Sequence, residues 1–99
     1  MFKNFFKKKI NKITLLGRGG LRYIADKNEY YIDSDNMLRR EINGISIAIY
    51  YKGIKRYYNG SDRIDETIII SEDEKKRVAI AVKELLEESG GKVGIFPSL

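Results

Sequence analysis

One stretch of this chain combines the length, the periodicity and the end signals of a helix, and it comes late. Ser71 with Glu74 three residues on forms a capping box, and Glu72, Asp73 and Glu74 place negative charge at the electropositive helix start. Lys75 to Glu88 is built from strong helix formers, with Val78, Ala81, Val82 and Leu85 along one stripe and Leu86 beside it. Ser89-Gly90-Gly91 supplies the stop. Such a helix has one apolar stripe to bury, and the rest of the chain has to supply the surface.

What precedes the helix reads as short strands. Ile13-Thr-Leu-Leu16 is β-prone and closes at Gly17-Arg-Gly-Gly20, a turn. Leu21 to Ala25 and Glu29 to Asp33 flank Asp26-Lys-Asn and read as a hairpin. Ser34 to Arg40 is a polar connection in which Met37 and Leu38 are the inward anchors. Ile45, Ile47 and Ile49 alternate with Ser46, Ala48 and Tyr50, the period of two expected for a strand with one buried face. Lys52-Gly53 breaks that run, Ile54 to Tyr58 extends again, and Asn59-Gly-Ser-Asp62 is a turn or loop. Thr67-Ile-Ile-Ile70 is apolar and β-branched, and Lys92 to Phe96 follows the helix as a last strand. The expected fold is α+β: an antiparallel sheet of about five to six short strands with one long C-terminal helix packed on one face.

The chain has 99 residues, enough for one domain that buries roughly 60–65% of its unfolded surface. It lacks His, Cys and Trp entirely. Imidazole and thiolate metal sites, disulfide frameworks and triad-type nucleophilic catalysis are therefore excluded. Carboxylates, Lys, Tyr, Ser and a hard cation such as magnesium are what remain for an enzyme. With no segment approaching the ~20 apolar residues of a membrane span, the expectation is a cytoplasmic protein.

The net charge is +5, and its location matters more than its size. Residues 1–12 hold Lys3, Lys7, Lys8, Lys9 and Lys12 and no acid, which leaves 14 of the 19 basic residues against 14 acids in residues 13–99. The chain divides into a basic arm, 1–12, and a neutral domain, 13–99. Within that domain the part from Asn59 onward is acidic, with six basic and nine acidic side chains. Phe2, Phe5, Phe6 and Ile10 recur at helical spacing among the lysines, so the arm reads either as a basic amphipathic segment for an anionic membrane or as a loosely docked terminus. Lysines interrupt any apolar run long enough for a secretory signal.

Three features could carry chemistry. The glycines at 17, 19 and 20 follow a strand, but a nucleotide cradle needs a helix to start there and the next residues read as a strand. Asp62, Asp65, Glu66, Glu72, Asp73 and Glu74 crowd one stretch; helix capping and loop decoration account for them, and together they make a negative patch for a basic partner. Six of the seven tyrosines fall in doublets, Tyr30-Tyr31, Tyr50-Tyr51 and Tyr57-Tyr58, with Tyr23 the seventh; in a doublet on a strand the two rings face opposite sides, so about half of the seven pack inward. Those left outside, with Lys55 and Arg56 nearby, suit a protein interface or the stacking of bases.

The phrases Gly53-Ile-Lys-Arg-Tyr57 and Ile70-Ser-Glu-Asp-Glu-Lys-Lys-Arg-Val78, with the hairpin and the isoleucine strand, resemble immunity protein 74, a family of small intracellular immunity proteins that accompany polymorphic toxins, including those of contact-dependent growth inhibition. Gly53 stands at that family's Ser position and Tyr57 at its Trp position. The resemblance covers about Ile13 to Phe96. It implies a protein without catalytic activity, cofactor or small-molecule substrate, which binds a cognate toxin domain and covers its active or substrate-binding surface. The residues expected to meet such a partner are Asp62, Asp65, Glu66, Glu72, Asp73, Tyr57 and Tyr58. The alternatives are a small nucleic-acid binder using the arm with Arg39, Arg40, Lys55 and Arg56, and a membrane-surface adaptor using Phe2, Phe5 and Phe6.

Overall fold

The computed structural model describes residues 11–17, 19–36 and 44–99. The expected anchors Met37 and Leu38, and the arm residues Phe2, Phe5, Phe6 and Ile10, lie outside these residues. The elements run in the order β1 (Asn11–Leu15), β2 (Gly19–Ala25), β3 (Asn28–Asp35), β4 (Ile47–Tyr50), a 3₁₀ turn (Tyr51–Gly53), β5 (Lys55–Arg56), α1 (Glu72–Glu88) and β6 (Val93–Phe96). This is α+β, with one helix packed on one sheet. β1 starts at Asn11, so Lys12, opposite Ile24, belongs to the sheet rather than to the arm.

The sheet order is β1-β2-β3-β4-β6, with β5 on β3. All pairs are antiparallel except β4 with β6, which is parallel from Ile47↔Val93 to Tyr50↔Phe96. The sheet is therefore mixed, not antiparallel throughout. The reason lies in the connection: the chain between β4 and β6 contains α1, and a crossover of that length returns a strand in the same direction.

The hairpin forms as its sequence demands. Ala25 pairs with Asn28, leaving a two-residue turn in which Asp26 takes φ +54°, a left-handed conformation that Asp tolerates. β3 continues beyond Asp33, because Ser34 and Asn36 have work inside. The Gly20 N–H donates to Ser34 Oγ at 3.1 Å, Ser34 Oγ donates to Asn36 Oδ1 at 2.5 Å, and Asn36 Nδ2 donates to the carbonyls of Gly17 and Gly20 at 2.9 and 2.7 Å. These two buried polar side chains thus clamp the β1–β2 turn.

β4 and β5 act as one interrupted strand. Both lie on the same side of β3, at Ser34↔Ile49 and at Tyr31↔Lys55, with the 3₁₀ turn between them. Gly53 makes the interruption possible, since a Cβ there would stand 2.7 Å from Asp33 Oδ2 and 2.8 Å from Asp33 Cβ.

The core sits between the helix and the sheet. Leu21, Tyr23, Tyr30, Ile32, Ile49, Tyr51, Ile54, Ile70, Val78, Ala79, Val82 and Val93 form one buried cluster. The fully buried Leu and Ile side chains contribute about 1.5–3 kcal/mol each. On α1 the deepest residues are Val82 and Ala79, the latter outside the expected stripe; Ala81 lies at its border with Leu85 and Leu86. Ser71 caps the helix as expected, its Oγ accepting from the Glu74 N–H at 3.1 Å. Thr67–Ile70 is not a strand: it is the irregular lead-in to that cap.

Candidate protein-interaction surface

The segment from Tyr57 to Ile70 has little regular structure, yet its backbone is tied down at intervals from Tyr57 to Ile68. Tyr57 bridges Ile64, and the Tyr58 N–H donates to Arg63 O at 2.9 Å. The Ser61 N–H donates to Tyr58 O at 3.1 Å, and the Asp65 N–H to Arg56 O at 2.8 Å. The Asp65 carboxylate then accepts from the Thr67 N–H and hydroxyl at 3.0 and 2.5 Å. A loop whose polar groups are satisfied this way is held in one shape without a strand.

Arg22, on the sheet face away from the helix, fastens the first half of the loop. Its Nη2 donates to Glu29 Oε1 at 2.5 Å and to Ser61 O at 2.6 Å, and its Nη1 donates to Asp62 Oδ1 at 2.6 Å. The guanidinium lies 4.0 Å from the centroid of the Tyr57 ring, a cation–π distance. The Gly60 N–H adds a bond to Glu29 Oε2 at 3.3 Å. The hydrogen bond from Arg22 holds the Glu29 carboxyl below its usual range, against the opposing effect of burial. Burial pushes the Tyr57 hydroxyl upward, with Arg22 pulling the other way.

The second half of the loop faces a different set of groups. Ile70 is buried, and because neighbouring side chains on extended backbone point in opposite directions, Ile69 is driven outward to 94% exposure. Ile68 and Ile69 border a cleft of about 230 Å³ with Lys52, Lys55, Glu66 and Lys75 around it. Lys55 pairs with Glu66 at 3.7 Å and Lys52 with Glu72 at 3.9 Å, while Lys75 Nζ donates to Lys52 O at 3.0 Å. Tyr51 donates its hydroxyl proton to Glu72 Oε2 at 3.2 Å, and Tyr30 to Glu74 Oε2 at 2.6 Å. Burial raises both tyrosines, with the carboxylates adding to the effect.

The predicted residues therefore separate. Asp65, Glu66 and, through Lys52, Glu72 gather round the isoleucine cleft. Asp62 and Tyr57 belong to the Arg22 cluster, and Tyr57 is buried, so its ring is a packing residue rather than an exposed anchor. Tyr58 is exposed, beside Arg63, and Asp73 is exposed on the first turn of α1. The acidic run is not an open negative patch: three of its members already face Arg22, Lys55 and Lys52. Among the described residues no group of acidic side chains converges to hold a metal ion.

In the sequence Ile68 and Ile69 read only as part of an apolar, β-branched run, whereas the structure sets them at the cleft. The signal was present, since three consecutive isoleucines ahead of a helix cap cannot all face one core. Nor does the sequence single out Arg22 and Lys52, whose partners lie far off along the chain. What the cleft offers is an apolar centre with a rim of both signs, the anatomy of a protein-binding patch. Among the described residues no helix is long and apolar enough to cross a membrane.

In comparisons with known proteins, the chain matches no family model, no curated protein and no solved structure.

Proposed function

We propose that this chain is a non-enzymatic immunity protein, one that binds a toxin domain in the cytoplasm and covers its active or substrate-binding surface, and that the loop ending at Ser71 is its principal contact. The observation that carries the reading is Ile69, a large apolar side chain 94% exposed on a loop whose backbone is held by hydrogen bonds up to the preceding residue, Ile68. Exposing an isoleucine to water is unfavourable, and fixing the loop beforehand lowers the entropy lost on binding; a partner surface accounts for both. The resemblance of residues 53–57 and 70–78 to immunity protein 74 supports the choice of a toxin as that partner. Glu66 and Lys55 at the rim then contribute specificity more than affinity.

Co-expression with the product of the gene immediately upstream tests the reading. The wild-type chain should protect growth and co-purify with that product in a fixed ratio. Ile69→Asp should lose both while keeping the wild-type unfolding midpoint, because the side chain packs on nothing inside. Protection that survives Ile69→Asp moves the contact elsewhere. Failure of the wild-type chain to bind, together with oligonucleotide binding that weakens steeply with salt, replaces the reading with a nucleic-acid one.

A further inference from the structure

One helix does not cover the sheet it packs on. Five strands about 4.8 Å apart measure about 19 Å across, whereas a helix with its side chains is about 10–12 Å wide. α1 runs against β6 and the 3₁₀ turn, so the uncovered part falls at β1. There Ile13 and Leu15 of β1 and Leu85 and Leu86 of α1 line an open groove of about 410 Å³, and Leu15 is 56% exposed.

The groove's rim at the end of α1 is acidic. Glu88 lines it, and Glu84 and Glu87 share an adjoining hollow with Glu88. Lys83 neutralises Glu87 at 2.8 Å, but neither Glu84 nor Glu88 has a cation among the described residues. The last turn of α1 also carries no basic residue to offset its carbonyl dipoles. An occupant suited to this place brings large apolar side chains and several cations close together.

We propose that residues 1–10 of the same chain are that occupant. Phe2, Phe5, Phe6 and Ile10 supply the apolar groups, and Lys7, Lys8 and Lys9 supply charge to set against Glu84 and Glu88. The segment leads directly into Asn11, itself a lining residue of the groove. Extended chain spans at most about 3.5 Å per residue, so Phe6 reaches about 17 Å from Asn11, enough to meet α1 from β1. The basic arm is on this view the missing cover of the sheet, with part of its charge set against Glu84 and Glu88.

The chain has no Trp and no Cys, so single probes report on the arm in the full-length protein. In Phe6→Trp the lone indole should emit to the blue of an exposed one in the monomer. Adding Glu84→Lys and Glu88→Lys should shift it back to the red, and adding Lys7→Glu and Lys8→Glu to that variant should restore it. A disulfide within one molecule should form about tenfold or more faster in F6C/S89C than in F6C/T14C, because Ser89 lines the groove whereas Thr14 lies on the opposite face of β1. An indole as exposed as in unfolded chain overturns the proposal, as do equal disulfide rates. Links between molecules assign the groove to a second copy, and an indole shielded only by vesicles of phosphatidylserine and phosphatidylcholine assigns the arm to membranes; either result also overturns it.

Discussion

Arg22 shows how much of this small domain rests on single polar side chains. Its guanidinium reaches a strand neighbour, a loop carbonyl, a loop carboxylate and an aromatic face, and it is only 16% exposed. Removing it leaves Glu29 half-buried without its counter-charge, so Arg22→Met should lower stability by about 2–4 kcal/mol in urea unfolding. Asp62, whose carboxylate is 99% exposed, should lose no more than about 0.5 kcal/mol as Asp62→Asn. Equal losses for the two variants would show that the loop is not held at Arg22. The same cluster makes a pH prediction. Glu29 is held below its ordinary value of 4.5, first by the Arg22 hydrogen bond, so its folded-state pKa is lower than its unfolded one. Its contribution is complete above about pH 4.5 and fades as pH falls through the depressed value. Glu29→Gln should therefore flatten the acid side of the stability curve below pH 4.5, and an unchanged acid limb would rule out this linkage.

The elements differ in how far local chemistry decides them. Ser71 caps α1 through one hydrogen bond to the Glu74 N–H, so Ser71→Ala should cost about 1 kcal/mol and Ser71→Asp close to nothing, both read from thermal unfolding. The second half of the capping box goes elsewhere, since Glu74 takes the Tyr30 hydroxyl. Gly53 is a different case, because what forbids a side chain there is Asp33 on another strand. Gly53→Ala should destabilise by more than the roughly 0.5–1 kcal/mol that separates Gly from Ala by backbone preference alone. These cases mark what was legible in the sequence. The helix, its cap, the Asp26 hairpin and the isoleucine strand depend on spacing and turn chemistry within a few residues, and all could be read directly. The parallel β4–β6 pair and the split of β4 from β5 depend on contacts distant in sequence, and no local pattern announces them. The candidate surface divides likewise: its acids are plain in the run from 62 to 74, whereas the cations that meet them, Arg22, Lys52 and Lys55, come from other elements.

For the whole molecule, where the charges are paired decides what a partner meets at each surface. A net +5 suggests attraction to polyanions, and the acidic stretch after Asn59 suggests attraction to a basic cleft. Around the isoleucine cleft and its loop, among the described residues, the acids are locally paired: Asp62, Glu66 and Glu72 are met by Arg22, Lys55 and Lys52. Interleaved charges at these separations cancel within about one Debye length, so a partner approaching the isoleucine cleft meets contact chemistry before it meets a field. A complex with the proposed toxin should then depend weakly on salt, its Kd changing by less than about fivefold between 50 and 500 mM salt. Ile69→Asp should weaken that complex far more than charge reversal at Asp62 or Glu66. A protein that blocked a nuclease by imitating its polyanionic substrate would behave in the opposite way, losing affinity by orders of magnitude over the same salt range. Titration of the complex at the two salt concentrations separates these mechanisms, and a steep loss of affinity would return the acidic run to the centre of the interface in place of Ile69.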